Sequence, residues 1–418
     1  MDTLPVRGTV TTNSFDSSVT DSAAATALAC GRKTRRGVLG MTADGRALKN
    51  IVEEARDAGM KVGILSSVSL DHATPAGFYA HQPSRDDYYE IDVQLAKSNV
   101  DYFGGGSVRG VRSKYLKNRE TGEKRPSPID LARQNGFTIV TTREALQTLK
   151  PGGKVWACNH KTDRNGALYY EIDRPADHVS LAEFTRKGIE LLENPRGFFM
   201  MVEGGRIDWA CHANDAATAA RDVIAFDEAV AEALAFYREH PKETLMVVTA
   251  DHETGGMSIE NTVGRETSAG VSLRNQKMSH VTFSQKIAEF RKRGLTFAQA
   301  LPEICRVFGF QDLTRNEAEQ LKDAYCMSVP KSVGALRGSK AFRLYGTKDP
   351  LTTACTRIVA QRDGISWKTF SHTGVPVPVT VIGVGQERFA GRIDSTDIYK
   401  SIVQAMLPAR QQSVTTAK

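Results

Sequence analysis

Four short, uninterrupted apolar runs constrain this chain more than any other feature: Lys61 to Ser67 (KVGILSS), Gly197 to Val202 (GFFMMV), Thr244 to Thr249 (TLMVVT) and Val377 to Gly383 (VPVTVIG). A strand with one wet face alternates apolar and polar residues, whereas a strand covered on both faces is apolar throughout. These runs therefore read as buried parallel strands. Between them lie helical patterns at Ser22 to Cys30, Ala47 to Ala58, Leu181 to Leu192 and Ala213 to Tyr237. Strands alternating with helices predict a doubly wound, mostly parallel α/β sheet with helices on both faces. On that plan residues 1–418 form one domain with two interruptions. The stretch from about 100 to 180, rich in Gly, Pro, Arg and Asn, reads as a loop-rich insertion. Residues 258–345 carry their own helical patterns, at Ser284 to Arg293 and Arg315 to Ala324, and read as a cap-like insertion between two core strands.

A length of 418 residues suits one large α/β domain with insertions, and 40% hydrophobic with 25% charged residues is a globular composition rather than a disordered or fibrous one. No apolar run of about 20 residues is present, so no helix is expected to span a bilayer. The opening MDTLPVRGTV lacks the basic and apolar regions of a secretory signal. A net charge of +7 favours anionic partners such as phosphate esters. The basic residues are scattered, though, and the short cluster Arg32, Lys33, Arg35 and Arg36 reads as a solvated face, so no nucleic-acid partner is expected. The six cysteines show no CxxC pair and read mostly as small buried residues, with Cys305 and Cys326 the one candidate disulfide.

In open α/β sheets ligands bind beyond the carboxyl ends of the strands, and the polar clusters of this chain fall there. KVGILSS runs into Ser69, Asp71, His72 and Thr74, GFFMMV runs into Glu203 and GGRID, and TLMVVTA runs into Asp251 and His252. Asp208 and His212 are four residues apart and share one face if the segment is helical. Carboxylate plus imidazole is a zinc-type ligand set, and Asp251 with His252 offers a second. Either set alone more often makes a cap and a surface hydrogen bond; two at neighbouring strand ends favour metal. His372, in FSHTGVP before the last strand, also stands near a sheet edge. His81, His160, His178, His240 and His280 lack such company and read as structural or surface residues, with His81 the first exception to consider.

Ser22 opens the helix former run AAATALAC, so it sits where free amides and the positive dipole end favour a phosphate. A metal beside it would lower its hydroxyl pKa and make it a nucleophile. An isolated Ser before a helix is usually only a cap, and the metal-type ligands are what favour the sharper reading. Arg85, in HQPSRDDYYEI, offers paired donors that fit phosphate oxygens, although most arginines in a chain with 55 basic residues lie on the surface.

Together these segments resemble the alkaline phosphatase family. TDSAAATALACGRKT is similar to its nucleophile motif and DHATPAGFYAH to its Thr-bearing magnesium loop, while VEGGRIDWACHAND, TADHETGGM and SHTGVPVPV resemble its metal motifs, in family order. The resemblance implies hydrolysis of phosphate monoesters by a homodimer, periplasmic or secreted in its full-length form. It makes Ser22 the phosphorylated nucleophile and Arg85 the clamp on the phosphoryl oxygens. Asp208, His212 and His372 would hold one zinc, Asp251 and His252 a second, and Thr74 and Glu203 a magnesium, with His72 beside it. Related hydrolases of phosphodiesters or sulfate esters share such a scaffold and form the rival reading, along with an inactive metal-binding relic.

Two departures from the family pattern stand out. His72 and Trp209 occupy positions where some members have Asp and Lys, so cobalt or zinc competes with magnesium at the third site. Family members also begin with a strand ending in a Gly-Asp-Gly type motif whose Asp bridges two metals, and nothing before Ser22 matches it. The expectation is that Met1 is an internal methionine, that the first strand and signal precede it, and that this chain alone retains metal weakly and turns over slowly.

Overall fold

The structure is a computed structural model that describes residues 4–118, 120–259, 270–329 and 344–406. Among the described residues there are thirteen strands, in chain order β1 Val6–Thr11, β2 Lys61–Ser66, β3 Tyr102–Gly105, β4 Phe137–Val140, β5 Lys154–Cys158, β6 Phe198–Glu203, β7 Leu245–Thr249, β8 Glu253–Thr254, β9 Ser258–Ile259, β10 Ile365–Ser366, β11 His372–Thr373, β12 Val377–Gly383 and β13 Gly391–Asp394. A five-stranded sheet runs β4-β5-β3-β2-β6 and is parallel throughout. A four-stranded sheet runs β13-β1-β12-β7. Helices cover both faces of the parallel sheet. On one side Ile51, Val52, Ile91 and Leu95 pack against Ile64 and Phe103; on the other Phe184, Leu191 and Leu192 pack against Leu65, Tyr102 and Val155. The α/β layering predicted from the apolar runs is therefore present.

Two expectations need correction. Val377–Gly383 and Leu245–Thr249 are strands at the predicted residues, but they pair antiparallel with each other, and β12 is antiparallel to β1 as well. An apolar run carries no information about the direction of the neighbours, and β12 is buried on the face of Val377, Val379 and Val381 while Pro378 on the other face is exposed. The stretch from 100 to 180 is not mainly a loop insertion, because β3, β4 and β5 all come from it. These strands are four or five residues long, too short for a periodicity to register. Gly105 ends β3 at φ +110, and a Cβ there would come within 2.0 Å of the Ser66 carbonyl, so glycine is what lets this strand end lie against β2.

β6 pairs only with β2 and β7 only with β12 among the described residues. The long helix Ala216–Glu239 lies across both: its Phe226 packs beside Val202 of β6 and beside Val248 of β7. Asp215 caps this helix by accepting from the Thr218 amide at 3.2 Å. Helix Leu181–Leu192 begins with a capping box in which Ser180 and Glu183 satisfy each other's amides.

The described part of 258–345 contains helices Val271–Asn275, His280–Arg293, Phe297–Phe308 and Arg315–Ser328. They share an apolar cluster of Phe283, Ile287, Ile304, Phe308 and Leu321, joined by Leu351 and Ile358 from helix Pro350–Arg362. The rest of that segment, 260–269 and 330–343, lies outside the described residues. All six cysteines are free, so Cys305 and Cys326 are not bridged. Among the described residues no helix is long and apolar enough to cross a membrane.

Candidate active site

Helix Asp21–Cys30 starts after Thr20, which is extended (φ −154°, ψ 145°) and gives no side-chain cap, so the first-turn amides are left for another acceptor. Ser22 is fully buried in that turn, and its Oγ accepts the Gly37 amide at 2.9 Å. Asp21, which the sequence reading gave no role of its own, is the electrostatic hub. Arg85 Nη1 donates to its Oδ2 at 2.6 Å and His252 Nε2 lies 3.1 Å from its Oδ1. His72 Nε2 and His372 Nε2 stand 3.5 and 3.4 Å away. Burial pushes the Asp21 carboxyl up, but the His252 hydrogen bond and the Arg85 charge outweigh it and hold the group well below the usual carboxylate range.

Strand ends deliver the remaining groups. Asp208 and His212 sit at opposite ends of the short turn that follows β6, with His212 as the cap of helix Arg206–Cys211. His252 follows β7, and β11 places His372 opposite Thr254 of β8. The ligand atoms of Asp208, His212 and His372 lie within 4.8 Å of one another, as do those of Asp21, His252 and His372. Ring orientation is fixed from behind. His212 Nδ1 lies 2.7 Å from the Phe370 carbonyl and His372 Nδ1 lies 3.0 Å from the Val19 carbonyl. A carbonyl can only accept, so each Nδ1 carries the proton and each Nε2 presents a lone pair. Those two Nε2 atoms face each other at 2.9 Å. Two lone pairs repel at that distance unless a cation lies between them, which is the signature of a metal-ligand pair rather than of a hydrogen bond.

His252 extends the set. Its ring stacks on His372 with centroids 3.8 Å apart, and its Nε2 lies 3.0 Å from Asp251 Oδ2. Thr254 Oγ1 donates to Asp208 Oδ1 at 2.5 Å and lies 3.3 Å from His252 Nδ1, tying the two ligand sets together. Burial lowers the His252 pKa, but the charge of Asp251 and the hydrogen bond that His252 donates to Asp21 more than reverse it, pushing it up to about 11. The carboxylates thus demand positive charge at this point. Residues of this type and arrangement fit divalent metal ions.

Residues 1–407 match the family model described as alkaline phosphatase. The chain belongs to the alkaline phosphatase family. It is 30% identical to alkaline phosphatase 4 of Bacillus subtilis (strain 168) over 390 residues, covering 91% of this chain and 75% of that one. Its fold is similar to the crystal structure of a cold-active alkaline phosphatase from a psychrophilic Shewanella sp., with a TM-score of 0.78 and 29% identity over 97% of this chain and 91% of that one. The Thermus thermophilus alkaline phosphatase gives 0.76 and 26%, over 96% of this chain and 82% of that one. Phosphomonoester hydrolysis is the chemistry of this family.

In this family member Glu203 and Thr74 are in contact, while His72, two residues before Thr74, turns its ring to Arg85. Glu203 accepts a hydrogen bond from Ser66 and another from Thr74. Burial raises its pKa to about 8, and the Ser66 and Thr74 hydroxyls only partly offset this while Asp251 and Asp21 add to it. Glu203 therefore also calls for a cation. His72 turns to Arg85 instead: Arg85 Nη2 donates to its Nε2 at 2.9 Å. Its ring meets Trp209 edge-on at 5.5 Å, and its Nδ1 is buried without a partner. Burial, then the Arg85 charge, lowers its pKa to about 3, so His72 is neutral and helps aim the Arg85 guanidinium. Asp71 turns away and accepts the Arg109 amide at 2.5 Å. Asp21, Thr254 and Ser66 are site residues that motif reading passed over. Only Asp21 carried a usable signal, its position directly before Ser22.

Proposed function

We propose that this chain hydrolyses phosphate monoesters by two displacements at Ser22. The observation that carries the reading is the convergence of the His212, His372 and His252 ring nitrogens with Asp208, Asp251 and Asp21, beside a buried serine at a helix start. In the first displacement Ser22 Oγ attacks phosphorus and its hydroxyl proton passes to solvent, the P–O bond to the alcohol breaks, and the alcohol leaves with a proton from solvent. In the second, water attacks the phosphoserine, inorganic phosphate leaves and Ser22 regains its hydroxyl.

Asp208, His212 and His372 would hold one zinc, Asp251 and His252 with Asp21 nearby a second, and Glu203 with Thr74 a magnesium or another divalent ion. When bound, such ions stabilise charge on attacking and leaving oxygens and lower the pKa of a coordinated hydroxyl. The chain's own groups do the rest. Arg85, held by Asp21 and His72, presents its fork to phosphoryl oxygens. The Gly37 N–H fixes the Ser22 Oγ position. Because the phosphoryl group supplies the recognition, the leaving alcohol is free to vary. Homodimer formation and a periplasmic or secreted setting belong to the same reading.

The test is p-nitrophenyl phosphate turnover with acid trapping of phosphate on Ser22, run alongside the diester and sulfate analogues. Trapped phosphoserine and a preference for the monoester are expected. Faster cleavage of the diester or the sulfate ester would sink the assignment.

A further inference from the structure

We propose that His160, Asp177 and His178 form a second divalent-metal site, of the kind that takes zinc, at the surface and apart from the active-site cluster. One ligand atom from each of the three lies within 4.8 Å of the others, and the group shares no residue with either active-site set. The His160 and His178 rings meet at 5.0 Å and 76°, edge to face. Two imidazoles and one carboxylate make a three-ligand zinc-type set with a position left for solvent.

His178 supplies the independent sign of a ligand. It is only 2% exposed, yet its Nδ1 has no hydrogen-bond partner. Leaving a buried polar nitrogen unpaired costs about 1–3 kcal/mol, so such an atom in a folded protein calls for a partner.

The surrounding loops hold the three residues in place. Asn159 Nδ2 donates to the Val179 carbonyl at 3.0 Å and the Val179 amide donates to Asn159 Oδ1 at 2.8 Å. This reciprocal pair is buried and joins the residue before His160 to the residue after His178. Arg143 Nη2 and Arg174 Nη1 both donate to the His178 carbonyl, at 2.7 and 3.1 Å. Two loops distant in sequence are thus stapled at the point where the ligands meet, which is the preorganisation a metal site requires. His160 and Asp177 are exposed, so an ion reaches the site directly from solvent.

Equilibrium dialysis of the full chain against zinc chloride, with zinc counted per chain by atomic emission, tests the site. His160→Ala and Asp177→Asn are exposed changes, and the melting temperature of the metal-free proteins checks that both fold. Each variant is expected to bind one zinc fewer than the parent, with affinity at that site at least about tenfold weaker. Both should keep the parent's turnover of p-nitrophenyl phosphate. Asp208→Asn, which alters the active-site cluster, is expected to retain the extra equivalent, so the outcome does not depend on the proposed reaction. Parent-like zinc stoichiometry and affinity in both His160→Ala and Asp177→Asn would overturn the proposal.

Discussion

Two histidine–carboxylate clusters, one buried and one partly open, stand on either side of the loop that follows His212, and they are satisfied in opposite ways. At the start of the long helix, Asp215 accepts from the His280 amide at 2.9 Å, from His280 Nδ1 at 3.1 Å, from Thr218 Oγ1 at 2.7 Å and from Gln276 at 2.9 Å. Burial raises the Asp215 pKa, but the His280 hydrogen bond and charge overcome it and the group remains a carboxylate. Every oxygen has a donor. In the other cluster the ring nitrogens of His212 and His372 face each other, and their hydrogens are committed behind them to carbonyls. Residue type is the same in both places. A structural histidine spends its nitrogens on protein partners, whereas a ligand histidine keeps one aimed at a shared point.

Substitutions can break or sharpen this contrast. Ser22→Ala should give the largest effect, a fall in kcat of at least about 10⁴-fold, with metal content unchanged; single-turnover phosphate trapping checks it. His372→Ala should lower metal affinity and turnover by about 10²-fold or more while leaving the metal-free melting temperature nearly constant. Retention of full metal by this variant would remove it from the ligand set. His280→Ala should do the reverse: it removes one of the donors to the buried Asp215 carboxylate and costs about 1–3 kcal/mol in chemical denaturation, with kcat per folded molecule unaltered. A catalytic defect without a stability defect would erase the distinction between the two clusters. Arg85→Lys should have the smallest effect, a rise of about tenfold in KM from the loss of a two-point contact, read from initial rates across substrate concentration.

Much of this was written in local sequence. β2, β6, β7 and β12 fall within a residue of the apolar runs, and helix Leu181–Leu192 falls on its pattern, because burial and capping act over short spans. Asp208, His212 and His372 were nameable, and the structure brings them together. The direction of β12 was not legible, since VPVTVIG suits a covered strand of either sense. Nor was the role of Asp21 as hub: its four partners come from His72, Arg85, His252 and His372, spread over most of the chain. His160 and His178 were read as ordinary because their meeting depends on the Asn159–Val179 pair, a contact between two loops with no periodic signature.

The separation between β6 and β7 bears on how the molecule comes apart. No ladder hydrogen bond joins the five-stranded and four-stranded sheets among the described residues, and the helix Ala216–Glu239 bridges them through side chains such as Phe226. Backbone ladders transmit unfolding steeply, while side-chain packing transmits it more softly. The two sheets are therefore expected to open as separate cooperative units, a difference that native-state amide exchange would read. The active-site residues are drawn from both, so catalysis reports on the docking of the two units as well as on the integrity of either.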